Sequence, residues 1–119
     1  MRLFRACLDL VQRNGGVLEH PAASVAWKCF HLPRPNQPPD SQGGYTIYVE
    51  QSWFGCSTRK PTWLYIVGVP KRELPSLPFR LAKPWLHQGG SSAARSRTMP
   101  ELARWLCQIA RLTTAPPPK

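Results

Sequence analysis

Thr62-Trp63-Leu64-Tyr65-Ile66-Val67-Gly68-Val69 is the stretch of this sequence that decides the fold. Its centre, residues 63–67, is nearly all apolar, which is typical of a strand covered on both faces. The preceding stretch, Tyr45 to Gln51, alternates instead: Tyr45, Ile47 and Val49 belong to one face, and Thr46, Tyr48 and Glu50 to the other. We therefore predict two strands of a layered sheet, joined by a polar loop of about ten residues.

Helices are predicted at both ends of the chain. Apolar residues recur at helical spacing before the glycine stop Asn14-Gly15-Gly16; they are Leu3, Phe4, Cys7, Leu8 and Val11. Thr98 to Leu112 is the second helix, with a capping box formed by Thr98 and Glu101. Its apolar stripe consists of Leu102, Trp105, Leu106, Ile109 and Leu112. Between the two helices, Val17 to Glu19 predicts a short buried strand and Pro21 to Phe30 a short helix.

This order of elements predicts an α/β fold. Helix, strand and helix in succession are typical of a parallel α/β sheet, and we expect a small mixed sheet of about three strands flanked by helices. The 14 prolines and 8 glycines predict long Pro-rich loops, over 31–44 and 70–97. The 119 residues allow one domain, residues 1–113, followed by a disordered Pro-rich tail, residues 114–119.

The charge balance is strongly basic. Sixteen Lys and Arg against six Asp and Glu give a formal net charge of +10 and a pI near 10.2. Such a field favours nucleic acid, an anionic surface or an acidic protein partner. Eleven of the sixteen are arginine, whose forked guanidinium suits phosphate and carboxylate. The alternative is a basic surface that serves only solubility.

The cysteines predict neither a metal site nor a disulfide framework. Cys7, Cys29, Cys56 and Cys107 are widely spaced, with no Cys-x-x-Cys pair, whereas zinc needs clustered ligands. Cys7 and Cys107 fall on the apolar faces of the predicted helices, and we interpret them as reduced core residues of a cytoplasmic protein. No stretch resembles a signal peptide or a membrane span, so we expect no membrane partner.

Two strand-end segments carry a resemblance to a known family. Val17-Leu18-Glu19-His20-Pro21 is similar to the Glu-Asn-Pro motif of DNA cytosine-5 methyltransferases, with histidine in place of asparagine. Trp53-Phe54-Gly55, then Ser57-Thr58-Arg59-Lys60, then residues 63–68 follow the order of that family's Tyr-Gly turn, nucleotide-contacting segment and hydrophobic strand. Residues 1 to about 113 also resemble a group of phage and prophage proteins. The resemblance is to the second half of the enzyme and implies a partial Rossmann-like, methyltransferase-like fold.

The resemblance also implies roles for individual residues. Glu19, with His20, Pro21, Gln51 and Trp53, would contact a base or nucleotide, and Arg59, Lys60 and Arg34 would hold phosphates. Each residue also has a structural alternative. Glu19 could pair with an arginine or cap a helix, and His20 could be a hydrogen-bonded residue at a helix start. Trp53 could cover the core, and Arg59 and Lys60 could be solvated charges.

The catalytic parts of the family are missing. Its methyl-donor loop and its Pro-Cys nucleophile loop precede the glutamate motif, but only 16 residues precede Val17 and no cysteine follows a proline. A glutamate without the thiolate cannot carry out attack on cytosine. We therefore expect no methyltransferase activity from this chain alone, no metal and no cofactor. S-adenosylmethionine would bind only if a partner chain supplied its site.

Three functions remain open from the sequence. The first is a phage- or prophage-derived remnant that binds DNA or RNA through its basic loops. The second is a phage-encoded interaction or inhibitor factor directed at a host nucleic-acid-binding or defence protein. The third is one subunit of a split cytosine-5 methyltransferase. An exposed sheet edge would also allow a homodimer.

Overall fold

The computed structural model describes residues 1–56, 59–78 and 100–114. Its helices are α1 (Arg2–Asn14), α2 (Ala26–Cys29) and α3 (Pro100–Leu112), and its strands are β1 (Gly16–Pro21), β2 (Tyr45–Glu50) and β3 (Pro61–Val67). Single 3-10 turns cover Gln51–Phe54 and Lys71–Glu73. The long helices and the three strands are confirmed within a few residues, whereas α2 is only one turn long. Thr98, most of 70–97 and the tail 115–119 lie outside the described residues.

The three strands form one antiparallel sheet in the order β1-β3-β2. The prediction of a three-stranded sheet in a small α/β fold is confirmed, but the prediction of a mixed sheet is wrong. β1 and β2 do run in the same direction, as the helix-strand-helix order indicated. They are not neighbours, however, because β3 lies between them and runs the opposite way.

Helices cover both faces of the sheet. On one face, α1 and α2 bury a core of Phe4, Leu8, Leu18, Ala26, Trp27, Leu32, Tyr65 and Val67. On the other, α3 covers a core of Tyr45, Val49, Phe54, Leu64, Ile66, Val69, Leu102, Trp105 and Ile109. Successive residues of β3 therefore belong to different cores, because side chains alternate across a strand. This confirms both the two-sided burial of β3 and the alternation of β2.

A tyrosine of β3 fixes the loop that leads into β2. The Asp40 carboxylate accepts the amide hydrogens of Gln42 and Gly44, both at 2.9 Å, which shapes a tight turn. The Tyr65 hydroxyl donates to the other Asp40 oxygen at 2.5 Å. A side chain at position 44 would meet the Tyr65 ring and hydroxyl, with a Cβ only 2.2 Å from the oxygen. Glycine is thus required where the loop crosses the tyrosine.

The described cysteines form no disulfide. Cys7 and Cys56 are half-buried, whereas Cys29 and Cys107 are exposed. Cys107 lies two residues from both Trp105 and Ile109, which places it away from the buried stripe of α3. The prediction of a core position is therefore wrong for Cys107.

Within the described ranges, no helix is long and apolar enough to cross a membrane. The two longest, α1 and α3, have 13 residues each, whereas a bilayer requires about 20.

We predict that Asp40→Ala lowers the free energy of unfolding by about 2 to 3 kcal/mol, because the buried Tyr65 hydroxyl and two amide hydrogens lose their acceptor. Asp9→Ala is the matched control, since it removes the same charge from an exposed position of α1 and should change stability by less than about 0.5 kcal/mol. Urea denaturation followed by tryptophan fluorescence measures both. Equal losses in the two variants would contradict the anchoring role of Asp40.

Candidate functional site

The ends of β1 and β2 and the start of β3 meet at one end of the sheet, here called the site end. In register across it, Pro21 lies opposite Thr62, and Thr62 opposite Val49. The two segments singled out in the sequence therefore converge, because one ends β1 and the other begins directly after β2. The two segments are far apart in the sequence. They come together because β3 pairs with both β1 and β2.

A buried glutamine connects the two segments. The Gln51 side chain is fully buried, and its Nε2 donates to Thr62 Oγ1 at 3.1 Å and to Glu19 Oε1 at 3.4 Å. Thr62 Oγ1 in turn donates to the Lys60 carbonyl at 3.1 Å. Gln51 Oε1 has no hydrogen-bond partner among the described residues. The predicted neighbourhood of Glu19, Gln51 and Lys60 is present, but Gln51 cannot reach a ligand at the surface without rearrangement.

The carboxyl group of Glu19 is half-buried. Across β1 its partner is Leu64, and Leu64 pairs in turn with Ile47, so Glu19 belongs to the face covered by α3. Burial raises the pKa of Glu19 above its ordinary value, and the nearby Lys60 ammonium opposes that rise. A carboxyl of this kind holds a proton to higher pH than an exposed one does, and in that form it can donate a hydrogen bond.

His20 lies on the opposite face of β1. Its Nε2 is 2.8 Å from Ser24 Oγ, and its ring meets the Phe4 ring edge-on at 4.8 Å between centroids. Burial lowers the pKa of His20. The Ser24 hydroxyl also accepts the Ala26 amide at 3.2 Å, so it holds the turn before α2. These contacts match the structural alternative for His20, and among the described residues no group of His, Cys, Asp and Glu could hold a metal ion.

A cleft of about 640 Å³ opens beside α2 at the site end. Aromatic, cationic and neutral polar side chains line it, among them Ser24, Trp27, Lys28, His31, Arg34 and Trp63. None of the described residues lining it is an aspartate or glutamate. The cleft is therefore suited to an anionic ligand with an aromatic part.

Aromatic rings continue from this cleft across the site end, and we call them the aromatic band. Phe30 stacks on Phe4 at 5.2 Å, Phe4 meets Trp27 at 5.9 Å, and Trp27 meets Trp63 at 5.4 Å. Trp63 pairs in register with Tyr48, which meets Trp53 edge-on at 5.8 Å. Its rings are Phe4, Phe30, Trp27, Trp63, Tyr48 and Trp53. Trp63 of β3 and Tyr48 of β2 lie on the face of α1 and α2, whereas Trp53 also packs against the core on the α3 face.

Predicted phosphate ligands lie at different places along this band. Arg34 is exposed at the rim of the cleft. Arg59 is exposed near Tyr48, whose pKa is raised by burial and by Glu50, and the Arg59 charge opposes that rise. Lys60 is half-buried beside Glu19, and its amide donates to the Glu50 carboxylate. Arg34 and Arg59 thus share a face, whereas Lys60 lies at the edge between the two faces.

Sequence reasoning missed the cleft itself. The sequence patterns place Trp27, Lys28 and His31 only in a short helix and its following loop, and Trp63 only in a buried strand. One local pattern does point to the cleft: aromatic and basic residues alternate in Trp27-Lys28-Cys29-Phe30-His31. This segment ends shortly before Arg34. Its connection to Trp63 depends on the pairing of β1 with β3, which no local pattern shows.

We predict that Glu19 makes the folded protein less stable as pH rises. Because its pKa is raised above the ordinary 4.5, the unfolded chain ionises first. The contribution of Glu19 to stability is therefore full below about pH 4.5 and is lost as pH rises through the folded-state pKa. Glu19→Gln removes this dependence.

The measurement is urea denaturation of wild type and variant between about pH 4 and pH 8. Glu73→Gln, at an exposed position after β3, is the matched control and should leave the pH profile unchanged. A carboxyl titration of Glu19 by NMR with a midpoint below 4.5 would contradict the burial argument.

Comparison with known proteins does not assign this chain to a family. No protein-family model matches the chain, and neither the curated proteins nor the solved structures give a significant match.

Proposed function

We propose that this protein binds DNA or RNA through the site end of its sheet. The observation that carries the proposal is the aromatic band with arginines along it and a carboxylate-free cleft in its middle. Aromatic rings offer surfaces on which bases stack, and guanidinium groups hold phosphates. The formal net charge of +10 would draw a polyanion to the molecule.

The phosphate ligands in this proposal are Arg34, Arg59 and Lys60. The side chains of Arg34 and Arg59 are exposed, as a phosphate contact requires. Lys60 and Trp53 would add contacts where the loop after β2 returns to β3. Each phosphate neutralised would release counterions, so affinity would fall steeply as salt rises.

The proposal extends to a catalytically incomplete, methyltransferase-like protein of phage or prophage origin. The hydrogen bond between Gln51 and Glu19 supports this view, because it joins the two segments that carry the resemblance. In this reading Glu19, His20 and Pro21 lie at the position of a base-contacting strand end. A partial Rossmann-like ancestry and action in the cytoplasm of a host cell belong to the same proposal. Methyl transfer would need a partner chain with the donor site and the nucleophile.

One observation favours the split-enzyme and homodimer alternatives. β1 and β2 are the outer strands of the described sheet, and each has a strand partner on one side only. An unpaired strand edge can accept a strand from another chain. A host protein with an acidic surface would use the aromatic band instead, and it would compete with nucleic acid for the same residues.

We predict that Arg59→Ala/Lys60→Ala weakens nucleic-acid binding roughly tenfold and lowers the salt slope of log K by about 2, since about one unit is expected per phosphate contact. Lys71→Ala/Arg72→Ala is the matched control. It removes the same two charges from an exposed pair after β3, at the other end of the sheet.

Fluorescence anisotropy with labelled single- and double-stranded DNA and RNA, at several salt concentrations, measures both variants. The proposal requires the first variant to lose more affinity than the second. Equal losses would mean that only the net charge matters, and no binding at low salt would favour a protein partner, to be sought by pull-down from host lysate.

A further inference from the structure

We infer that the cleft beside α2 holds an unpaired base of a single-stranded nucleic acid, stacked on Trp63, with its phosphate at Lys28 and Arg34. This inference rests on the proposed function and narrows it to one substrate class. The sequence patterns assigned no role to this cleft.

The aromatic floor of the cleft is held in place before any ligand arrives. The indole Nε1 of Trp27 donates to the Pro21 carbonyl at 2.8 Å, and Trp27 is almost fully buried. Trp63 packs against it at 5.4 Å with a tilt of 59°. Trp63 is only half-buried and lines the cleft. A rigid ring at the floor of a concave site gives stacking at low entropic cost.

The cleft walls carry the polar groups that a nucleotide needs. Lys28 and Arg34 supply positive charge for a phosphate, and both are exposed. The Arg34 amide donates to Gln37 Oε1 at 2.7 Å, which fixes the turn that carries Arg34, whereas Lys28 is held by α2. The amide nitrogen of Gln37 can then donate to the polar edge of a base.

The backbone at His31 ends α2 beside the cleft. His31 has a φ of +54°, the left-handed conformation that follows a helix end and that glycine adopts most easily. The Leu32 amide bonds back to the Trp27 carbonyl at 3.0 Å, which completes this helix-ending motif. The His31 side chain lines the cleft.

Shape decides between single strand and duplex. In a duplex, neighbouring bases cover each other's faces, so a protein meets mainly phosphates and base edges. A ring at the floor of a cleft can stack only on a base that is free of its neighbours. The site therefore favours single strands. The proposal covers both single-stranded DNA and single-stranded RNA.

The test uses labelled oligo-dT and oligo-U with a duplex of equal length, measured by anisotropy. We expect single strands to bind at least tenfold more tightly than the duplex. Trp63→Leu should weaken single-strand binding roughly 5- to 100-fold and duplex binding less than about twofold. His31→Gly relieves backbone strain, so it should fold at least as well and still weaken single-strand binding. Photocross-linking of the wild type with 5-iodouracil oligonucleotides should label the Trp63 peptide.

The outcomes separate the inference from the proposed function. If duplex and single strand bind equally, or if Trp63→Leu and His31→Gly lower both alike, nucleic-acid binding stands and the base cleft is overturned. If no oligonucleotide binds at low salt, both fail. A cross-link confined to peptides outside the cleft also overturns the inference, even if Trp63→Leu does not fold.

Discussion

The rest of the structure depends on β3, a strand paired on both sides and buried on both faces. Leu64, Tyr65 and Ile66 are fully shielded from solvent, and they contact different helices in turn. Such a strand must be apolar along its length. One short sequence thus fixes the position of every other described strand.

Alternation along these strands gives the site end two unlike faces. His20, Trp63 and Tyr48 lie in register on the side of α1 and α2, and Trp63 and Tyr48 belong to the aromatic band. One position along, Glu19, Leu64 and Ile47 lie in register on the side of α3. The half-buried Glu19 carboxyl and the rings of Trp63 and Tyr48 therefore lie on opposite faces of the sheet, although Glu19 and His20 are neighbours in the chain.

Local patterns predicted the elements of this protein better than their arrangement. The period of Phe4, Leu8 and Val11 and the alternation of residues 45–50 mark their helix and strand, because each depends on near neighbours. Strand direction does not depend on near neighbours. No local pattern indicates that β3 lies between β1 and β2 and runs antiparallel to both. The convergence of Glu19 and Gln51 could be predicted from their strand-end positions. The cleft could not, since Trp27 and Trp63 meet only through the pairing of β1 with β3.

The central position of β3 has a consequence for how the chain folds. β1 and β2 are synthesised first, yet neither has its partner until β3 follows, and Gly16 finds its partner only when Val67 is available. Contacts between such distant residues slow folding, because a long loop must close before they form. During synthesis the first two described strands would therefore leave the ribosome with unpaired edges, and their sheet would assemble only when β3 follows.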